Sequence, residues 1–216
     1  MNRIAENLNR LKTEIADKAT LVVVSKYRSI EEIQAAYDAG QRHFAENRVQ
    51  ALLERAEALP SDIHWHLIGH LQTNKVKYIV PFVYMIHSVD SIKLLDTIQK
   101  EAQKQGRNIP FLVQLHVAQE ESKFGIAPSE YPTFKKQVLS SQYPNTEWRG
   151  LMAMATFSDD QNLVKQEFRL VKQLFDRTQA ELSDAFDTLS MGMSGDYALA
   201  IEEGSNLVRV GSAVFA

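Results

Sequence analysis

Three small clusters of residues in the 216-residue sequence have side chains and spacings that could do chemistry together. The first is TLVVVSKYR at 20–28, where a β-branched run leads straight into Lys26. Lysine is rarely buried, so an amine at the end of a buried strand is either where the strand surfaces or a nucleophile at the mouth of a core. The second is SMGMSGD at 190–196, where Gly192, Ser194 and Gly195 precede a short helical pattern that stops at Gly204. Glycines let backbone approach a ligand, and free N–H groups at a helix start favour an anion. The third is LVRVGSAVFA at 207–216, in which Arg209 alternates with Val208 and Val210 and is followed by Gly211 and Ser212. On a strand, that arginine points away from both valines, and an arginine facing a barrel interior needs partners.

Taken singly, each feature has an ordinary reading: a strand terminator, a turn, a surface cation. Taken together, an amine, a donor-rich turn pair and an inward guanidinium suit one phosphorylated cofactor that bonds to a lysine, and pyridoxal 5'-phosphate has that description.

The rest of the chain supplies the elements that would position these groups. Short apolar runs near 20–25, 42–46, 64–68, 84–88, 111–117, 148–154, 187–191 and 207–210 alternate with helical patterns. Ser29 with Glu32 forms a capping box closed by Gly40; Asp90 or Ser91 starts a helix that ends at Gly106. Ser158 with Gln161 reads as a further box ahead of Val164, Phe168, Val171, Phe175 and Leu182. Strand–helix alternation requires right-handed crossovers and a covered parallel sheet. Eight strands make this a single α/β domain over 1–216, a (β/α)8 TIM barrel, with an open doubly wound sheet as the alternative. No full helix follows the eighth strand, and an extra N-terminal helix at about 2–17 is expected to cover that side.

In such a barrel the chemistry lies at the C-terminal ends of the strands. Reading along them gives Lys26, Asn47, His70, His87 with Ser88, then Glu121, Lys123 and Gly125, then Thr156, the 192–196 turn, and Arg209 with Gly211 and Ser212.

Composition narrows the alternatives. A net charge of −3 argues against a nucleic-acid or polybasic membrane surface, and the lack of cysteine excludes thiolate chemistry and disulfides, as suits a cytoplasmic protein. The N-terminus is charged and amphipathic, unlike a signal peptide, and the apolar run at 78–86 is short and holds Pro81, so no membrane segment is expected. His64 and His66 share a strand face as zinc ligands can, but they sit at the end away from the chemistry, and no metal site is expected. Met152 and Met154 read as core, and Lys75 and Lys77 as a weak anion site.

Several motifs, in order along nearly the whole chain, carry a resemblance: VVVSK at 22–26, AENRVQ at 45–50, WHLIGHLQTNK at 65–75, IHSVD at 86–90, EESKFGI at 120–126, GLMAM at 150–154, SMGMSGD at 190–196 and VRVGSAVF at 208–215. The sequence resembles the pyridoxal phosphate homeostasis proteins, single-domain relatives of the alanine racemase N-terminal barrel. The resemblance implies that Lys26 holds pyridoxal phosphate as a Schiff base, that Ser194, Gly211 and Ser212 hold its phosphate, that Arg209 faces the pyridine nitrogen, and that Asn47 lies beside the ring. Two positions depart from the usual pattern: Ala45 replaces glycine, and Ser212 replaces a frequent threonine. The implied function is buffering of pyridoxal phosphate or its delivery to apo-enzymes of that cofactor, with little or no turnover. A monomer is expected, because the second domain through which the racemase pairs has no counterpart here. The alternative is a racemase-like enzyme that recruits an acid–base group from a loop.

Overall fold

The computed structural model describes residues 3–120, 124–182 and 184–216. Eight parallel strands, β1 (Thr20–Val24), β2 (His43–Glu46), β3 (His64–Leu67), β4 (Met85–Val89), β5 (Ile109–Leu115), β6 (Thr146–Ala153), β7 (Thr188–Ser190) and β8 (Leu207–Val210), form a closed barrel in sequence order. Closure comes from β8 pairing with β1 in a register that sets Val22 opposite Arg209 and Val23 opposite Val210. The open-sheet alternative is thereby excluded.

Strand alternation sorts the side chains into two layers. Val22, Val24, Ala45 and Leu207 pack together inside the barrel near β1, and Met85, Leu112 and Met152 fill another part of the interior. Leu21, Val23, Phe44, Ile86, Val208 and Val210 face the other way, into the large core under the helices. Ala45 keeps regular pairing to Val24 and His66, so its methyl group leaves the strand undistorted. Strands β5 and β6 each start two residues ahead of the sequence expectation. Pro110 is the second residue of β5, a margin at which proline's missing N–H is tolerated.

Nine α-helices surround the barrel among the described residues: α1 (Arg3–Ile15), α2 (Ile30–Asp38), α3 (Val49–Ala58), α4 (Val76–Ile79), α5 (Ile92–Gln105), α6 (Tyr131–Ser140), α7 (Gln161–Glu181), α8 (Tyr197–Glu202) and α9 (Ser212–Phe215). Ser29 and Glu32 form the expected reciprocal capping box on α2, and Ser91 caps α5, which ends at Gly106 with φ +60°. The start of α7 differs from expectation. Asp160, rather than a Ser158–Gln161 box, caps it through bonds from the amides of Asn162 and Leu163, while Ser158 accepts the Asp160 amide. A carboxylate is the stronger acceptor at a helix start, where the dipole adds to the bond. Helix α1 closes the side left open after β8: Asn7 Nδ2 donates to the carbonyls of Val214 and Ala216, and Leu8, Leu11 and Ile15 are buried. Among the described residues, no helix is long and apolar enough to cross a membrane.

Candidate functional site

A cavity of about 680 Å³ opens at the C-terminal ends of the strands. That volume suits a small cofactor. Lys26, Asn47, Ser194, Arg209, Gly211 and Ser212 all line it, with His70, Gln114 and Thr156 also on its wall. Exposed rings of Tyr27, Phe124 and Phe157 border it.

Lys26 reaches the cavity through a tight turn. Val22 and Val24 face inward, and two residues on so does Lys26. The Arg28 amide then bonds back to the Ser25 carbonyl, and Tyr27 takes φ +65°. A non-glycine residue in the left-handed region is strained, and such strain collects where a side chain must be held in place. The turn is anchored from below: Ser25 Oγ donates to Glu46 Oε1 at 2.6 Å, and Arg55 Nε lies 3.1 Å from the same oxygen. Glu46 is fully buried, and burial raises its carboxyl above the usual range against the opposing pull of Ser25 and Arg55. Among the described residues Lys26 Nζ has no hydrogen bond or ion pair, so the amine is uncommitted.

Asn47 is placed by a close backbone approach. A Cβ on Gly69 would fall 2.0 Å from the Asn47 carbonyl oxygen, so only glycine lets the end of β3 lie against that residue. His70 then enters the cavity wall, stacked on Phe124 at 4.1 Å between centroids and 3.4 Å from Asp90 Oδ2 through Nδ1.

Arg209 is 2% exposed and points inward, as its alternation with two valines requires. Its Nη1 donates to the Ser190 carbonyl at 2.8 Å and to Ser190 Oγ, and Nη2 donates to the Ala153 carbonyl at 2.9 Å. Nε has no acceptor among the described residues. Burial lowers the guanidinium to about 10, partly countered by the field of Asp196, and it stays charged at neutral pH.

The turns after β7 and β8 form one donor surface. Gly211 N–H bonds to Ser194 Oγ at 3.2 Å, and Asp196 accepts the Met193 amide to close the first turn. The amides of Ser194, Gly195 and Ser212 make no hydrogen bond to protein among the described residues, so these partly exposed donors are open to an anion. Nothing lies within 4 Å of where a Cβ on Gly195 would stand, so the surface is open. Helix α8 has only six residues, so the donors belong to the turn more than to a helix dipole. Unspent amides beside two serine hydroxyls suit a phosphate, and with an uncommitted amine and a free Nε–H they fit pyridoxal phosphate.

Other expected residues lie elsewhere. His87 and Ser88 are buried in β4 and do not line the cavity; strand alternation turns His87 into the barrel interior, where Nε2 meets His66 Nδ1 at 2.8 Å. His64 and His66 join that interior set, and no group of three or more histidine, aspartate or glutamate side chains among the described residues is arranged for a metal ion. Thr156 is on the wall, but its hydroxyl is committed to Glu167 at 2.6 Å. Met152 is core; Met154 also reaches the cavity. Lys75 and Lys77 flank the Tyr78 ring away from it. Glu121 and Lys123 lie outside the described residues, while Gly125 packs its backbone against His116. The Glu46–Arg55 anchor has no sequence signal beyond two charges nine positions apart.

Comparison with known proteins bears on the family and the fold. The family model for the alanine racemase N-terminal domain matches residues 1–216. A pyridoxal phosphate homeostasis protein of Aquifex aeolicus is 40% identical over 198 residues, covering 91% of this chain and 86% of the relative. The structure of PipY from Synechococcus elongatus without pyridoxal phosphate superposes with a TM-score of 0.92 at 33% identity, covering 99% of this chain and 100% of PipY. The same protein with pyridoxal phosphate bound gives a TM-score of 0.88 at the same identity and coverage. The barrel, its register and these likenesses together place the chain in the pyridoxal phosphate homeostasis protein family, on the fold of the alanine racemase N-terminal domain.

Proposed function

We propose that this protein binds pyridoxal 5'-phosphate, holds it as a Schiff base on Lys26, and buffers or delivers it to the apo forms of enzymes that use it, acting in the cytoplasm as a monomer with little or no turnover. The single observation that carries this reading is the convergence on one cavity of the uncommitted Lys26 amine and the unspent amides of Ser194, Gly195 and Ser212. When bound, the cofactor supplies an aldehyde for the amine and a ring able to withdraw electrons. Lys26 Nζ would bond the aldehyde carbon, Ser194, Gly211 and Ser212 would hold the phosphate, and Asn47 would flank the ring.

Arg209 supports the low turnover. A guanidinium can donate to a ring nitrogen but cannot supply the negative charge that would keep that nitrogen protonated. A neutral ring nitrogen makes a weak electron sink. The same cation is held by Ser190 and Ala153 rather than by a carboxylate.

The test is incubation with pyridoxal phosphate, an absorption spectrum, borohydride reduction and peptide mapping. The expected result is a Schiff-base band and a reduced, acid-stable adduct on Lys26, absent in Lys26→Ala. An adduct spread over surface lysines, or no band, would refute the proposal.

The racemase-like alternative has one observation in its favour: His70, paired with Asp90, stands in the cavity wall where an acid–base group is needed. Sustained racemisation of an amino acid that is lost in both Lys26→Ala and His70→Asn would establish that reading instead.

A further inference from the structure

Resting on that reading of the cavity, we propose that a string of four histidines closed by Ser190 runs through the barrel and positions Arg209 for the cofactor ring. The links are continuous. His64 Nδ1 lies 3.3 Å from His43 Nε2, His43 Nδ1 lies 3.0 Å from His66 Nε2, and His66 Nδ1 lies 2.8 Å from His87 Nε2. His87 Nδ1 is then 3.2 Å from Ser190 Oγ, which also accepts from Arg209 Nη1. The string begins at the other mouth of the barrel, where His43 and His66 line a second cavity of about 560 Å³ with Tyr84. It ends under the first cavity.

Hydrogen counting fixes its direction. Arg209 can only donate, so Ser190 Oγ receives that bond and must place its own hydrogen elsewhere. His87 Nδ1 is the one other partner of that hydroxyl among the described residues. Ser190 therefore donates to His87, which leaves His87 with its proton on Nε2, donating to His66. The same rule passes along: His66 Nε2–H donates to His43, and His43 Nε2–H donates to His64. All three inner rings are neutral Nε2–H tautomers. The reverse polarity would leave the Ser190 hydrogen without an acceptor in a fully buried site.

The direction has an electrostatic consequence. Every donor points away from Arg209, so the negative ends of the aligned dipoles face the guanidinium. Bonds in series polarise one another, and their effect is larger in a buried interior. Arg209 has no carboxylate within ion-pair distance among the described residues, so this string takes the place of a counter-charge and keeps Nη1 fixed, while Nε is left without a protein acceptor. Neutrality is consistent with burial, which lowers His43 to about 4 and takes His66 and His87 well below the usual histidine range. The charged groups around the string are Arg209 at the top and Asp17, Lys18, Arg149 and Asp187 around the lower cavity.

The histidine nitrogens can be read directly by long-range proton–nitrogen NMR of the ligand-free protein at pH 7. His43, His66 and His87 are expected as neutral Nε2–H tautomers; an Nδ1–H tautomer or a charged ring among them would overturn the string's direction. In loaded protein, Ser190→Ala should bind pyridoxal phosphate about tenfold more weakly, the scale of one bond to a charged group, and Ser190→Thr should restore part of it. His43→Phe, remote from the cofactor cavity, should shift the His66 and His87 nitrogen signals and the absorption band of the bound cofactor. Unchanged affinity and band in both Ser190→Ala and His43→Phe would refute the positioning role. Failure of the cofactor reading shows itself separately, as wild-type protein that gains no label on Lys26, and removes the ring as the object of the string.

Discussion

Ser194 Oγ accepts the Gly211 amide across 3.2 Å, so a single bond joins the turn after β7 to the turn after β8. The two turns are thus one surface, and neighbouring amides remain free for an anion. Ser194→Ala should separate the phosphate contribution from the rest of the site. We expect affinity for pyridoxal phosphate to fall about tenfold, with affinity for pyridoxal, which lacks the phosphate, unchanged. Spectroscopic titration with both ligands measures this, and an equal loss for the two would mean that the serine does not serve the phosphate.

The ion pair beneath Lys26 makes a different prediction. Glu46 is fully buried and Arg55 nearly so, 3.1 Å apart. Breaking a buried pair from one side costs about 3–5 kcal/mol, because a charge is left alone in a poor solvent. Arg55→Ala should show that loss in urea unfolding at pH 7. Adding Glu46→Gln to it should recover much of the stability, since a neutral amide needs no counter-ion. If the double variant is no more stable than Arg55→Ala, the pair does not act as a pair.

Gly69 and Gly195 should behave oppositely. A methyl group at Gly69 would meet the Asn47 carbonyl at 2.0 Å, so the backbone beside Asn47 must move. Overpacking of this kind costs about 1–3 kcal/mol. Gly69→Ala is expected to lower the melting temperature and weaken cofactor binding through Asn47. Gly195→Ala adds a methyl group to open space and should leave the melting temperature unchanged, though it stands beside the free amides. Differential scanning calorimetry on the two variants distinguishes them.

Much of this site is visible in the sequence because strand alternation is a local rule. Val22, Val24 and Lys26 share a face by spacing alone, and Val208 and Val210 fix the inward direction of Arg209 in the same way. The glycine turns declare themselves by residue type. The histidine string is different. His64 and His66 are visibly on one face, yet their contacts with His43 and His87 depend on the registers that set His43 opposite His64 and Ala45 opposite His66. Register between strands some 20 residues apart belongs to barrel closure, which no local pattern encodes. The start of α7 departs from the expected Ser158–Gln161 box for a local reason: Asp160 is also a capping residue type, and the backbone geometry selects it.

The string also predicts how stability depends on pH. His66 and His87 are buried neutral, with their affinity for protons lowered first by desolvation; His87 is lowered further by Arg209, and His66 by neighbouring histidines. In the unfolded chain each titrates near 6.5. Between that value and the depressed folded one, the unfolded state binds more protons, so stability rises with pH. It is complete above about 6.5 and is lost as pH falls toward the folded values, at a slope of at most about 1.4 kcal/mol per pH unit for each ring. His43, lowered to about 4, bounds the window for the ring nearest the lower mouth. Urea midpoints measured from pH 7.5 to pH 4.5 should therefore drop steadily below about 6.5, before most carboxylates titrate. His87→Gln should flatten that limb of the curve even though it weakens the fold at pH 7, because one buried site no longer gains a proton on unfolding. A limb as steep in His87→Gln as in the wild type would mean that the acid sensitivity comes from elsewhere, and that His87 is not held neutral by its place between His66 and Ser190.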